Sequence, residues 1–282
     1  MNGSLKLPEP TWFVGCGNMG GAIFDGWRMG GLDLSPVTGI RPSGRPVEGT
    51  RVVTSVVEAG SPPKIAVLAF KPQKLDEIAP ELRRYLSART AVVSILAGVE
   101  AASLRERFPG VGAIVRVMPN LPVAVRRGVT GLYSPDADGQ TQGDLNNLFS
   151  ALGFAMWMAD ETKLSALGSV AGAGPAYVAR FIAALAKAGM KRGLTEEIAS
   201  TLALETVLGT SWMAATKSES MESVARRVAS PNGTTEAGLA VLDHDHVLDQ
   251  LVALAIDAAS RRGAELAEEA RQLAADARVH PS

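Results

Sequence analysis

The chain has one cysteine, Cys16, in 282 residues. A lone thiol excludes an internal disulfide and fits a reducing compartment, so a cytoplasmic protein is expected. In the glycine-rich segment that holds it, Cys16 reads as a small, half-buried filler. Histidine is nearly as scarce: His244, His246 and His280, all late in the chain. His244-Asp245-His246 lacks a third ligand at a workable spacing, so no metal is expected and the triplet reads as a polar interhelix loop. Charge is balanced, with 28 Lys and Arg against 29 Asp and Glu. That leaves no electrostatic footing for nucleic acid or an anionic membrane as a partner. No apolar run approaches the roughly 18 residues that cross a bilayer. Met1 to Pro10 holds one Lys, two Pro and no apolar core, unlike a signal or transit peptide. The tail Arg278 to Ser282 is expected to be disordered.

What is present starts with Gly15-Cys16-Gly17-Asn18-Met19-Gly20. The segment follows the apolar run Thr11-Trp12-Phe13-Val14 and opens a helix-like stretch, Ala22 to Met29. Strand, glycine turn and helix form the context of a dinucleotide fingerprint. Gly15 allows the tight turn, Gly17 lets backbone approach a pyrophosphate, and Gly20 lets helix and strand pack closely. The helix start offers N–H groups and a positive dipole end to the phosphates.

An NAD-type site places an acid at the end of the second strand, for the ribose hydroxyls. Here that strand, Val37 to Ile40, runs into Arg41-Pro42-Ser43-Gly44-Arg45, and no acid lies between Pro36 and Val47. Arg41 and Ser43 suit a 2′-phosphate, which a guanidinium binds bidentately. NADPH is therefore expected, with NADH possible. Arg45 reads as a solvated loop charge.

Lys64 to Ala69, Ala91 to Ile95 and Ala113 to Val117 read as strands buried on both faces, as in a parallel sheet. Gly128 to Tyr133 and Phe154 to Met158 look like further strands. Lys74 to Leu86 and Ala101 to Phe108 read as helices between them. Near Ala159 the β-rich runs stop, and the chain becomes rich in Ala and Leu. Helices are expected over Ala176 to Lys191, Glu196 to Lys217, Ser220 to Arg227, Thr235 to Leu242 and Val247 to Ala277. Ala176 to Ala188 is apolar nearly all round and is expected to be buried on most sides. The fold class is thus an α/β N-terminal Rossmann domain with a mostly parallel doubly wound sheet, residues 9–159, followed by an all-α domain, residues 160–277. The small-residue surface of the second domain points to a homodimer or larger assembly.

Three motifs fall at strand ends, where an open sheet faces its ligand: Phe70-Lys71-Pro72, Leu96-Ala97-Gly98 and Met118-Pro119-Asn120-Leu121-Pro122. Lys71 is the charged group of the first two. Asn120, set between prolines, reads either as a fixed amide near the nicotinamide or substrate, or as an ordinary turn residue. In the helical half, Ser230-Pro231-Asn232-Gly233-Thr234-Thr235 separates two helices. It reads equally as a capped turn or as a cradle of N–H groups and hydroxyls for a carboxylate. No histidine stands in the dinucleotide half. A hydroxyacid would need an acid or base for its alcohol proton, whereas an imine can enter already protonated and accept hydride without one.

Taken together, the GCGNMG turn, AFKP at 69–72, SILAGV at 94–99, RVMPNLP at 116–122, AGAGPAY at 171–177 and SPNGTT at 230–235 resemble the pyrroline-5-carboxylate reductase family in order and spacing. The resemblance spans about residues 11 to 275. It implies a Rossmann domain followed by a helical dimerisation domain, and reduction of 1-pyrroline-5-carboxylate to L-proline with NAD(P)H. Carried over, it gives Gly15, Asn18 and Met19 to the pyrophosphate, and Arg41 and Ser43 to the 2′-phosphate. Ala69, Lys71-Pro72 and Ile95 to Ala97, Leu96 included, line the nucleotide. Ser230, Asn232, Gly233 and Thr234 hold the substrate carboxylate; Asn120 is expected as a further substrate contact from its own position between prolines. Thr235 is the catalytic polar contact, its hydroxyl approaching the ring nitrogen.

The chain departs from the family pattern at Leu121, usually Thr; at Ala171-Gly172-Ala173, usually Ser-Gly-Ser; at Asn232, usually Gly; and at Ala225-Arg226-Arg227, where a Lys-Asp pair is usual. Two rival readings stand beside the main one. The first is an NADP-dependent reductase of another cyclic imine or of a β-hydroxyacid, the latter opposed by the lack of lysine from Gly172 to Ile182. The second is a non-catalytic NADP-binding protein.

Overall fold

The computed structural model describes residues 7–279. Two compact units emerge from the contacts: Met1–Ala173 together with Ala259–Ser282, and Gly174–Ala258.

The first unit is built on one eight-stranded sheet. In chain order it holds β1 (Thr11–Val14), α1 (Asn18–Met29), β2 (Val37–Ile40), β3 (Arg51–Val53), β4 (Ile65–Leu68), α2 (Leu75–Leu82), β5 (Ala91–Ser94), α3 (Ala101–Arg107), β6 (Ala113–Pro119), β7 (Gly128–Tyr133), α4 (Gly139–Ser150), β8 (Gly153–Trp157) and α5 (Glu161–Leu167). The strand order is β3-β2-β1-β4-β5-β6-β7-β8. All neighbours are parallel except β6 and β7. The order reverses between β1 and β4, and such a switch opens a crevice beyond the carboxyl ends of those two strands. Those ends lead into Gly15 and Ala69.

β1, β2, β4 and β5 are buried along their whole length, which fits sequences that carry no charge and no alternating polar face. On one face Phe13, Val67 and Val115 pack with Ile23, Phe24 and Trp27 of α1 and Phe149 of α4. On the other, Trp12, Leu68 and Ile114 pack with Leu75 and Leu82 of α2 and Leu104 of α3. Two elements carry no clear sequence signal. β3 is a three-residue edge strand. α4 is rich in Gly, Asn and Gln, and it starts on Asp138, whose side chain accepts the Thr141 N–H at 2.8 Å.

The second unit holds α6 (Gly174–Met190), α7 (Glu196–Lys217), α8 (Met221–Val228), α9 (Thr234–Asp243) and the first part of α10 (Val247–Val279). Its small core is Ala186, Ala199 and Ala203, with Ile182 against them. The expectation that Ala176 to Ala188 is buried on most sides is corrected. Within the single chain only Ala186 of α6 is buried, and Phe181 is 50% exposed. Leu202, Leu208, Trp212, Leu251 and Leu254 are exposed as well.

The expected division at 159/160 lies inside the first contact-defined unit, whose main segment ends at Ala173. α5 stays with the sheet, because Leu164 is fully buried and a Cβ on Gly131 of β7 would stand 2.8 Å from it. From Ala259 onward α10 belongs to the sheet unit too. The expectation of no membrane-length apolar run is corrected as well. α5, a π-helical turn over Gly168–Gly172 and α6 make one helical run, Glu161–Met190, whose most apolar 18-residue stretch has mean hydropathy 1.3, enough by length and composition to cross a membrane. Interspersed Gly, Ser and Ala hide this run from a search for unbroken apolar stretches. Helix continues through Arg278 and Val279, against the expected disorder, and the rest of that tail lies outside the described residues.

Candidate functional site

Gly15 leaves β1 with φ +83°, and a Cβ there would stand 2.6 Å from the Ala69 carbonyl oxygen. Left-handed backbone and a close carbonyl each demand glycine. The Gly15 N–H donates to Ile40 O at 2.8 Å, and the Ala69 N–H to Val14 O at 2.8 Å. The turn is thereby laced to the ends of β2 and β4. At Gly17 an added Cβ would meet nothing within 4 Å, while at Gly20 it would stand 3.0 Å from Phe13. Gly17 thus faces open space and Gly20 faces the core. α1 starts at Asn18, with Gly17 as an N-cap that supplies no side-chain bond and with no acid in its first turn. Uncapped N–H groups, a positive dipole end and a clear approach over Gly17 fit a pyrophosphate.

Arg41 follows β2 directly. Its N–H donates to Val53 O at 2.9 Å, and its Nη1 to Arg45 O at 3.1 Å. Ser43 is exposed in the same turn, and its hydroxyl accepts the Arg45 N–H at 3.4 Å. The Arg41 charge reaches the glycine turn. Burial pushes the Cys16 thiol above its ordinary pKa, and the Arg41 guanidinium partly offsets this. Cys16 is therefore a neutral, half-buried thiol at physiological pH.

At the other strand ends, Lys71 is exposed and precedes the short turn Pro72–Lys74. Leu96 is buried, and Ala97 beside it is exposed. Gly98 turns back with φ +75°, and a Cβ there would stand 3.2 Å from the backbone of Leu266 and Ala267 of α10. Ala97, Gly98, Arg116, Met118, Glu161 and Ser165 are among the residues lining a cavity of about 590 Å³ within this unit. Asn120 is 5% exposed and braces the backbone. Its Oδ1 accepts the Val129 N–H at 2.8 Å, and its Nδ2 donates to Ala171 O at 2.9 Å. Both ends of the amide are engaged within the chain, so the structure gives Asn120 a bracing part where a substrate contact was expected.

Ser230 to Thr235 forms a tight turn into α9. Gly233 N–H donates to Ser230 O at 2.9 Å, and Asn232 N–H to Glu236 Oε2 at 2.6 Å. Those two amides are closed off, which narrows the expected cradle to the first turn of α9 and the Ser230 hydroxyl. Gly233 caps α9 without a side-chain bond. Asn232 has φ +57°, a left-handed conformation that Asn tolerates better than most residues. This accounts for Asn at a position where the family pattern has Gly. Thr234 and Thr235 are exposed. In the preceding helix, Arg227 pairs with Glu219 at 3.0 Å, while Arg226 is exposed.

Arg116 and Glu161 line the same cavity as Ala97 and Gly98; Arg116 opens the RVMPNLP motif, whereas no motif marks Glu161. A cation inside the apolar strand AIVRV is a usable signal, since a buried charge requires a partner. Which residue supplies that partner depends on tertiary contact.

Residues 161–266 match the family described as pyrroline-5-carboxylate reductase dimerisation, and residues 12–98 match the one described as NADP oxidoreductase, coenzyme F420-dependent. The chain is 37% identical over 267 residues to a pyrroline-5-carboxylate reductase of Pseudomonas aeruginosa, covering 92% of this chain and 97% of that one. It is similar to the crystal structure of the Plasmodium falciparum pyrroline carboxylate reductase with NADP bound, with TM-score 0.82, 26% identity, and coverage of 94% of this chain and 100% of that one. The structure of a pyrroline-5-carboxylate reductase from Coxiella burnetii gives TM-score 0.83 and 29% identity over 92% of this chain and 99% of the other.

Proposed function

The chain belongs to the pyrroline-5-carboxylate reductase family, and we propose that it performs the final reduction of proline biosynthesis with NADPH as the preferred reductant. It reduces 1-pyrroline-5-carboxylate to L-proline and uses NAD(P)H. The observation that carries this reading is that similarity runs through both halves of the chain, the nucleotide half and residues 161–266 alike.

The residues fit the cofactor, because the space above Gly17 is one that a Cβ would fill. Gly15, Gly17, Asn18 and Met19 hold the pyrophosphate, and Gly20 completes the cofactor turn by letting α1 pack close to Phe13 beneath it. Arg41 and Ser43 hold the 2′-phosphate and set the preference for NADPH over NADH. Ala69, Lys71, Pro72, Leu96 and Ala97 line the remainder. When bound, the nicotinamide supplies a hydride for the C=N carbon.

The chain's own part is to bind and orient the imine. Ser230 and the first-turn N–H groups of α9, from Thr234 onward, take the carboxylate. Asn232 and Gly233 shape that turn rather than donate to the ligand. Thr235 offers its hydroxyl to the ring nitrogen and holds the protonated iminium in line for reduction. No strong acid is needed, because the nitrogen already carries its proton.

The enzyme is an oligomer, and we assign its assembly to the helical residues as a homodimer or a multiple of one, working in the cytoplasm. The exposed apolar side chains of α6, α7 and α10 then bury themselves against a second copy. That occupant accounts for the apolar run Glu161–Met190 without a bilayer.

The deciding assay mixes purified protein, NADPH and 1-pyrroline-5-carboxylate and follows absorbance at 340 nm. Turnover on the order of 10 per second is expected. Absence of turnover above background, or turnover only with other cyclic imines in a substrate panel, would overturn the assignment. Complementation of a proline auxotroph tests the same activity in cells.

A further inference from the structure

Arg116 lies on β6 among apolar neighbours and is 6% exposed. Its Nη1 donates to Glu161 Oε1 at 2.7 Å. The same oxygen accepts the backbone N–H of Ala101 at 2.8 Å. Glu161 opens α5, and Ala101 opens α3, the helix that follows the Leu96–Gly98 loop. Arg116 is registered against Ser94 on β5 and precedes Met118 and Asn120 on its own strand. One carboxylate oxygen therefore joins three segments: α5, the far side of the Leu96–Gly98 loop, and the strand that delivers the Met118–Asn120 turn. Both loops meet the cavity of about 590 Å³, as do Arg116 and Glu161 themselves.

Stability alone gives little reason for this arrangement. Arg116 is buried and Glu161 half-buried, so the pair costs desolvation, and an apolar pair of the same volume often packs as well or better. What charge-assisted bonds add is direction, because the guanidinium and the helix-start N–H must converge on one atom.

We infer that Glu161 is a positioning residue for the reduction, whose carboxylate sets the separation between the Leu96–Gly98 loop and the Met118–Asn120 turn. The inference rests on the proposed reading of Leu96 and Ala97 as cofactor contacts. A shift of about 1 Å at such contacts is enough to slow a positioned reaction by up to about a hundredfold. Glu161 touches neither reactant and acts through Ala101 and Arg116.

The test compares the wild-type chain with Glu161→Ala and Glu161→Gln. Amide hydrogen exchange is read on cofactor-free protein over residues 95–104 and 114–122, with peptides from α1 as the internal standard. NADPH affinity is read by nicotinamide fluorescence. Steady-state kinetics are run with NADPH and with NADPH deuterated at the transferred position.

In Glu161→Ala, exchange is expected to speed up in the two chosen segments and not in α1. kcat is expected to fall about tenfold to a hundredfold, with KM for the imine held within about twofold. The isotope effect on kcat should rise as hydride transfer becomes limiting. Glu161→Gln keeps an acceptor for Ala101 and should recover protection at 95–104 but not the full rate. Unchanged kcat and isotope effect in Glu161→Ala would overturn the inference. So would loss of protection spread evenly over the chain, which is the mark of a residue needed only for folding. If Glu161→Ala does not fold, Glu161→Gln is judged by the same readings. A wild type that does not turn over the imine condemns the proposed function instead, and exchange on cofactor-free protein then decides the role of Glu161 by itself.

Discussion

Asn120 and Ala171 are joined by a hydrogen bond of 2.9 Å, from the Asn120 side-chain amide to the Ala171 carbonyl. Ala171 sits in the π-helical turn Gly168–Gly172, where the regular helical ladder is interrupted and carbonyls need other donors. Asn120 Oδ1 meanwhile takes the Val129 N–H. Replacing Asn120 by Ala strands both backbone groups and should cost about 2–3 kcal/mol. The measurement is the urea midpoint at fixed protein concentration, since stability in an oligomer depends on concentration. An unchanged midpoint would show that water replaces both bonds.

Gly15 and Gly17 should respond differently to the same methyl group. Gly15→Ala forces a left-handed alanine against the Ala69 carbonyl and should lower stability by at least about 2 kcal/mol. Gly17 has φ −79° and ψ −164° with nothing within 4 Å, so Gly17→Ala should melt like wild type. Its NADPH affinity should nevertheless fall tenfold or more, by the order of magnitude of one lost charge-assisted bond. Thermal melting with and without NADPH separates the two variants. Wild-type affinity in Gly17→Ala would remove the pyrophosphate from that spot.

Arg41→Ala should weaken NADPH by about tenfold or more while leaving NADH nearly unchanged, because only the former carries a 2′-phosphate. Fluorescence titration of both nucleotides checks this. Equal losses for the two would mean that Arg41 braces the turn through Arg45 and does not read the phosphate.

Thr235→Ala should lower kcat about tenfold, the equivalent of one hydrogen bond made at the reacting nitrogen, with NADPH affinity unaltered. Thr235→Ser should retain most of the rate. If Thr235→Ala turns over like wild type, its hydroxyl takes no part in the reaction.

Cys16 carries a pH prediction. Its folded-state pKa is raised, with burial the larger cause and Arg41 opposing. The reactive thiolate is therefore scarce at neutral pH and increases only at pH above that of a free cysteine. Alkylation by iodoacetamide near pH 8 should be slower than for a model thiol. Arg41→Ala should slow it further by removing the favourable charge. Faster alkylation in that variant would reverse the sign.

The dinucleotide turn is legible in the sequence because its constraints are local. Gly15 needs a particular backbone conformation and Gly17 needs open space, and neither depends on distant chain. The buried strands are legible for the same reason: Ile65–Leu68 is wholly apolar, and Thr11–Val14 and Ala91–Ser94 each carry three apolar residues in a row. β3 is too short to show a pattern, and α4 starts with Gly and Gln and relies on the Asp138 cap. The Ser230–Thr235 turn is visible, but not which amides it closes. That depends on Glu236 folding back onto Asn232, a contact that propensity does not predict. Asn120 misleads because its neighbours Pro119 and Pro122 suggest a presented amide, whereas Val129 and Ala171 claim it. α6 misleads in the opposite sense: an apolar helix implies burial, and within one chain that burial is missing.

Gly98 lies against the backbone of Leu266 and Ala267, so a loop about a third of the way along the chain is completed by a turn of α10. A ribosome makes these parts in that order, with all of α6 to α9 between them. The nucleotide-binding unit cannot finish folding during translation from its own strands alone, and it must wait until α10 has cleared the exit tunnel. Competence to hold the cofactor is thereby tied to synthesis through the last helix, and a ribosome stalled before α10 would display a sheet whose site lacks that support.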